Sequence, residues 1–503
     1  MPDATPPRDA PREIHRRARR SLWLVLSRQV LVTLVTFASG IVLARTLAPA
    51  DFGLFAICYF IVTFLAMVSD LGLHAALVQR EEAPTERDIQ TMFTIQQVAT
   101  TVVFALLWLT AAGLPAIYPK AGPDLVHLVR LLSFELYIIS WSRPSEALIE
   151  RSLRYARLVP IDVIGSAVYG TVAVTMALTG YGVWSFAVAF LSATITRVAL
   201  VYRAAPWKIR FAFEPSTAVA LLSRGVPLQI GRVVAQAQYW VTPTLVAGLI
   251  GPAAVGLLQW AAGNGRKPLD IIEYFARVSL PHFSRLQHDE AEVARILSRY
   301  VSVFVLICGF WLTVLAVAGR DLVLFVYTER WLAAVPAMVL FAVVGLLVAV
   351  RVVVSAALTG LGRTMVIARV GVATTIATIV VSIPLVLWVG PIGVPLGQLA
   401  GAAGVLPFLL AGLGTGSLAL VVKSAATAVL PMAGAIAAGV VTQMPAAQSL
   451  ILSTLAPTLL SALLPAFRGL FTAGVMTLVY AAVVWLTGPR WLRDSVREEL
   501  ARF

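Results

Sequence analysis

The chain has 503 residues and a formal net charge of +14, with 59% hydrophobic and only 13% charged residues. A soluble domain carries roughly 25% charged residues, so no sizeable extramembrane domain fits here, and a basic balance that suggests nucleic acid in a soluble protein reads instead as positive loops facing anionic membrane lipids. Cys58 and Cys308 fall inside apolar runs and the five histidines lack metal-ligand spacing, which excludes a disulfide framework and a clustered metal site.

Residues 1–20 are rich in Pro, Asp and Arg and predict a basic tail without a packed core. From Ser21 to Gly488, apolar stretches long enough to cross a bilayer recur with short breaks. About 20 apolar residues span the hydrocarbon core, and only helices satisfy their own backbone there. The predicted spans are 22–44, 52–78, 92–117, 125–148, 158–179, 182–202, 219–249, 252–275, 299–318, 333–359, 364–389, 392–413, 418–442 and 453–487. The first is too long for a signal-peptide core of about 7–15 residues and reads as an uncleaved helix. The last contains Pro465 and Arg468 and could hold a kinked or re-entrant piece. Residues 489–503 form a second basic tail. The chain thus reads as an all-α polytopic membrane protein.

Basic residues set the orientation. With the N-terminus inside, the outer loops hold only Arg45, Lys120, Arg320 and Arg330. The inner side holds the tails, Arg80 and Arg87, the 143–157 and 203–210 clusters, the 277–299 cluster, Arg363 and Lys423. That asymmetry predicts both termini in the cytoplasm and an even number of spans.

An internal repeat is visible. Leu43-Ala44-Arg45-Thr46-Leu47-Ala48-Pro49-Ala50-Asp51-Phe52-Gly53-Leu54 aligns with Val246-Ala247-Gly248-Leu249-Ile250-Gly251-Pro252-Ala253-Ala254-Val255-Gly256-Leu257. A weaker echo pairs Gly180-Tyr181-Gly182-Val183 with Pro391-Ile392-Gly393-Val394. Gly/Pro turns between hairpins are generic, but two matches in corresponding places predict a six-plus-six duplication. The expected domains are an N-lobe over 21–217 and a C-lobe over 218–414, with two appended helices over 415–488. Two such lobes with a substrate path between them are a common transporter plan.

The Gly40–Leu54 stretch resembles the G-x-V-L-A-R-x-L-G-P-x-D-F-G signature of bacterial polysaccharide-biosynthesis flippases, within the multidrug/oligosaccharidyl-lipid/polysaccharide exporter superfamily, with Ala48 where the family has glycine. Ser69-Asp70-Leu71-Gly72-Leu73 with Ala76–Arg80 looks like that family's second helix and first inner loop, and Ser279–Leu286 resembles its P-x-F-S-R-L segment. The resemblance covers roughly the first three hundred residues. It implies about fourteen helices in two pseudo-symmetric bundles. It also implies movement of an undecaprenyl-pyrophosphate-linked oligosaccharide from the inner to the outer leaflet by alternating access, in the inner membrane.

A charge at the centre of a span costs about 2.5–3.5 kcal/mol on insertion scales and persists where it meets a partner, a cavity or a substrate. The candidates are Arg28 with Gln29, Asp70, Arg130 with Glu135, Asp162, Arg224, Arg232, Arg266 with Lys267, Asp270 with Glu273, Arg351 and Arg369. Arginine binds diphosphate bidentately, so Arg28, Arg232 and Arg266 lead a cationic headgroup site, supported by Lys267, Arg224 and Arg130. Arg28 and Arg224 could instead snorkel to the inner interface, and Arg266 could pair with Asp270 one turn on. The resemblance places cavity arginines on the first, second and eighth helices, which suits Arg28 and Arg266. Asp70, Glu135, Asp270 and Glu273 could bind a coupling proton or sodium ion. Trp240 and Trp260 could stack on sugars or join an interfacial belt. Gly263-Asn264-Gly265 and Pro268 interrupt the eighth span, as broken helices at binding sites do.

An exporter of cationic drugs would need an apolar or acidic cavity, and a lipid II flippase would suit the same arginines. A membrane polymerase or glycosyltransferase would need a larger outer loop than 319–332. No Walker loop or nucleophile–base constellation appears, so neither a cofactor nor an enzyme is expected. The tails could dock the polymerase and glycosyltransferases of the same pathway or simply anchor to lipid. Reporter fusions at both termini should be protected from an external, membrane-impermeant label and labelled only after the membrane is opened; external labelling of either terminus would refute the orientation.

Overall fold

The computed structural model of the chain describes residues 32–152, 157–270, 272–273, 289–413, 429–443 and 464–487, with residues 283–284, 286, 419, 423 and 426. Among the described residues every regular element is a helix. Eight segments among the described residues are long and apolar enough to cross a membrane: Pro49–Asp70, Glu86–Ile117, Asp124–Arg151, Leu158–Leu178, Trp184–Ala204, Ala291–Val326, Glu329–Gly360 and Thr364–Ala411. The chain is a multi-pass helical membrane protein. It divides into two units, Met1–Val233 and Val234–Phe503.

In the first unit, helix α1 covers Val32–Thr46 and α2 covers Pro49–Asp70. The Pro-Ala-Asp of the signature is a helix start: Pro49 sits in the first turn, where a missing N–H costs nothing, and Asp51 accepts the Ala48 N–H at 2.9 Å. Predicted span 52–78 is broken near its end. Leu71 (φ 49°) and Gly72 (φ 70°) turn left-handed, and the chain resumes as α3, Leu73–Val78. Thr85 and Asp88 then close a capping box on α4, Glu86–Thr110. After the short α5, Leu114–Ile117, the predicted span 125–148 is two helices, α6 (Asp124–Leu132) and α7 (Phe134–Arg151), meeting at Ser133. Helices α8 (Leu158–Leu178) and α9 (Trp184–Ala204) pack as a pair around small residues such as Ala173 and Ala189. An extended strap then runs along α4, where Thr94 exchanges hydrogen bonds with both backbone groups of Ala212. It leads into α10, Pro215–Gln236, which carries the boundary between the units.

Arg151, on α7, collects the chain around the end of α3. Its guanidinium donates to the carbonyls of Leu77, Val78, Arg80, Glu81 and Glu82, satisfying groups that a helix end leaves unpaired.

In the second unit the predicted span 219–249 loses its α geometry. Residues Ala237–Trp240 form a 3-10 turn, and Thr242–Val246, with Pro243, form a π turn leading into α11, Ala247–Leu249. Gly251 (φ 116°) starts α12, Pro252–Gly265. Helices α13 (Glu290–Val326), α14 (Val335–Gly360), α15 (Thr364–Val389) and α16 (Gly393–Ala411) follow. Helices α15 and α16 fold back on each other, and Gly393, Gly397 and Gly401, four residues apart, face Leu385, Ser382 and Thr378 with no room for a side chain. Helices α17 (Val429–Gln443) and α18 (Leu464–Thr487) pack on α13, where the Tyr480 hydroxyl donates to the Leu306 carbonyl at 2.7 Å.

Gly72 combines a left-handed backbone with a close approach. A Cβ there would collide with the Gly225 backbone of α10. Gly72→Ala should destabilise the protein by roughly 2–4 kcal/mol, through strain and overpacking, read as a lowered thermal midpoint in detergent. Gly40→Ala, with open space around it, should leave the midpoint unchanged or raised.

Candidate functional site

Two groups of polar side chains lie within the helices, one in each unit. In the second unit the eighth predicted span breaks at one residue: α12 ends at Gly265, Arg266 is non-helical, and helix resumes at Lys267. Asn264 fixes this end. Its carbonyl accepts from the Trp311 indole at 3.0 Å, its side-chain oxygen accepts from the Tyr327 hydroxyl at 3.1 Å, and its amide donates to the Trp260 carbonyl at 2.9 Å. Gly265 lets the turn press against α14, since a Cβ would meet the Met338 carbonyl.

Arg266 is thereby held within the helices. Its guanidinium donates to the Gln398 side-chain oxygen of α16 and lies over the Phe341 ring, 4.6 Å from the centroid. Gly345 of α14 packs beside its stem. Its Nε has no hydrogen-bond partner, and no ion pair joins Arg266 to a carboxylate among the described residues. A small cavity of about 100 Å³ opens beside it, lined also by Tyr239, Thr242 and Gln259. A neutral amide and a ring face hold the cation without neutralising it, so its charge stays available to an anion.

The other candidates of this unit stand apart. Lys267 pairs with Asp270 at 3.7 Å, so the carboxylate one turn on goes to the lysine and not to Arg266. Asp270 and Glu273 are exposed. Trp240 sits half-buried in the 3-10 turn. Trp260 is buried, stacked on Trp331 at 4.9 Å and edge-on to Tyr327 at 4.8 Å. Arg351 is half-buried on α14 with its Nε unpartnered, and Arg369 is exposed on α15.

The first unit holds a connected charge network. Asp70, at the end of α2, accepts from the Gln96 amide at 3.4 Å and lies 3.7 Å from Arg143 of α7. Arg143 also pairs with Glu146 at 3.2 Å. Glu146 is 5% exposed and is shared with Arg197 of α9, which reaches Asp162 of α8 at 3.5 Å. His74 of α3 contacts Glu150 at 3.2 Å. Glu135 is buried, with one carboxylate oxygen unpartnered. Arg130 lies over Trp108 at 5.3 Å. Arg224 and Arg232 are exposed on α10, and Arg28 with Gln29 lies outside the described residues.

The sequence did not single out Arg143, Glu146 and Arg197 as site residues. The cost of a charge inside predicted spans 125–148 and 182–202 is the signal that would have found them. Gln398 and Phe341 carry no such signal, because an uncharged residue in a span is unremarkable until its neighbour is known.

The described residues form a many-helix membrane fold with cationic and acidic side chains inside it. A sequence profile of the polysaccharide biosynthesis protein family matches residues 42–336, and the chain belongs to that family. The chain is similar to the teichuronic acid biosynthesis protein TuaB of Bacillus subtilis, 25% identical over 56% of this chain and 59% of that protein. It is similar also to the succinoglycan biosynthesis transport protein ExoT of Rhizobium meliloti, 24% identical over 64% of each chain. The match spans less than two thirds of these curated relatives' length. Among solved structures, the lipid II flippase MurJ shares the fold with a TM-score of 0.74 at 13% identity, covering 94% of this chain and all of MurJ. An inward-facing multidrug resistance MATE transporter of the MOP superfamily gives 0.54 at 14% identity, covering 82% and 96%.

The network of the first unit should behave as one piece. Arg197→Met leaves Glu146 buried beside a single guanidinium and should cost about 3 kcal/mol, at the low end for a broken buried pair because Arg197 is partly exposed. Adding Glu146→Leu should recover part of that loss. A double-mutant cycle of denaturation midpoints would show it; additive effects would refute the coupling.

Proposed function

We propose that the chain is a flippase that carries an undecaprenyl-pyrophosphate-linked oligosaccharide from the inner to the outer leaflet of the cytoplasmic membrane by alternating access. The observation that carries this reading is Arg266: a half-buried cation held by an amide and a ring, beside a cavity, with no carboxylate partner among the described residues. A lipid-linked sugar has a diphosphate at the junction of chain and glycan, and a guanidinium meets it with parallel hydrogen bonds. Tyr239, in the same cavity lining, offers a ring face and a hydroxyl to the first sugar. Arg28, Arg232, Lys267, Arg224 and Arg130 are the further cationic candidates for headgroup contacts. Membership of the polysaccharide biosynthesis family and the transport named for ExoT support the substrate class. The six-plus-six lobes, with both termini cytoplasmic, supply the alternation, and the tails are the natural docking points for the polymerase and glycosyltransferases that make and use the substrate. The second reading is lipid II as substrate. The fold of MurJ favours it, and the same arginine would serve.

The test is translocation in proteoliposomes of a fluorescent lipid-diphosphate oligosaccharide, with lipid II in a parallel arm. Arg266→Ala should slow movement at least roughly tenfold, the loss of about 1.4 kcal/mol of binding or more, with the thermal midpoint unchanged. Arg266→Lys should retain part of the rate, because it keeps the charge and loses the fork. Wild-type rates in Arg266→Ala would discard the site. Movement of lipid II alone would establish the second reading.

A further inference from the structure

His74 is not explained by packing. It stands on α3, the six-residue helix beyond the Leu71–Gly72 turn, and is 8% exposed. Its Nε2 meets a Glu150 oxygen at 3.2 Å, while its Nδ1 is buried and without a partner. In the neutral ring one nitrogen donates to Glu150 and the other presents a bare lone pair. The carboxylates Asp70, Glu146 and Glu150 face two guanidiniums, Arg143 and Arg197, and Asp162 draws on Arg197 as well.

We propose that His74 is a proton-binding site of the first unit and that its proton is the ion coupled to transport, an inference that rests on the flippase reading for its second half. The charged groups around it come from every neighbouring element. Glu146, Glu150, Arg143 and Arg151 are on α7, Arg197 on α9 and Asp70 on α2; the Arg80–Asp88 pair at 2.8 Å lies at the start of α4. Histidine is the side chain whose charge changes most readily between pH 5 and 8. Proton uptake on Nδ1 keeps the Nε2–H bond to Glu150 and creates a second donor. Glu146 lies one turn before Glu150 on the same face of α7 and within Coulombic reach of His74. The imidazolium therefore competes with Arg197 for Glu146. A proton at α3 loosens α9 from α7 and ties α3 more firmly to α7. Because Gly72, the cap of α3, lies against Gly225, the same event acts on α10.

Two readouts test this. The first uses purified protein in detergent, with no substrate. The wild-type thermal midpoint should rise by roughly 3 °C relative to His74→Gln between pH 8 and pH 6, since the imidazolium–carboxylate pair exists only when the ring is protonated. The second imposes one pH unit across proteoliposomes containing the lipid-diphosphate oligosaccharide. One coupled proton sustains up to about a tenfold leaflet ratio. Wild type should approach that ratio, whereas His74→Gln should relax to a ratio of one while still exchanging the lipid. Glu150→Gln, which keeps the imidazole, should move the pH midpoint of the first readout to lower pH, and it serves if His74→Gln does not fold. An unchanged pH profile in His74→Gln, or in Glu150→Gln where only that variant folds, would overturn the site. A pH effect that vanishes with His74, in a protein that moves no lipid-linked sugar, would keep the proton site and sink the flippase reading. A leaflet ratio unaffected by the substitution would overturn the coupling.

Discussion

A charged side chain in hydrocarbon has to be compensated, and the two units of this protein compensate theirs differently. In the first, the guanidiniums of Arg143 and Arg197 are threaded through Asp70, Glu146 and Asp162, so helices α2, α7, α8 and α9 are held by ion pairs. In the second, Arg266 has an amide oxygen and a ring face. Ion pairing consumes charge and fixes geometry. An amide and a quadrupole fix geometry and leave the charge to be answered by something else. The first arrangement ties helices together, and the second leaves a cation that an anion can meet.

Broken helices deliver both arrangements. The left-handed turn at Leu71–Gly72 ends α2 so that Asp70 faces Gln96 and Arg143, and it starts the helix that carries His74. At Arg266, the single non-helical residue after Gly265, the side chain reaches Gln398 and Phe341, while Trp311 of α13 and Tyr327 at its end hold Asn264. Distortions in a membrane helix survive only where side chains or neighbouring helices satisfy the freed backbone groups. Arg151, donating to five carbonyls around the end of α3, is that kind of repair.

Residues differ in how much of this could be read from the chain. Asp70 and Arg266 stood out because a charge among apolar residues needs a reason, and both lie within polar clusters. Gly263-Asn264-Gly265 stood out as an interruption, and α12 ends there. The pairing of Arg266 did not follow. A helical face offers Asp270 four residues on, yet that carboxylate meets Lys267, because the break at Arg266 shifts the register between them. The break at Leu71 was invisible in hydropathy, since a one-residue change of backbone direction leaves an apolar run looking continuous, whereas the break at Ser133 lies between Arg130 and Glu135, charges that already interrupted the predicted span 125–148.

The sequence by itself determined that the chain crosses a membrane many times as helices, because the length of an apolar run and the backbone's need for hydrogen bonds admit no other solution. It also determined the family, through the helix-start signature around Pro49 and Asp51. Only the tertiary structure decided which buried charges neutralise one another and which stand open. Gln398 lies 132 positions from Arg266 and Arg197 lies 51 from Glu146. Periodicity reports the face a residue occupies on its own helix, while a partner so far along the chain is fixed only by how the helices pack.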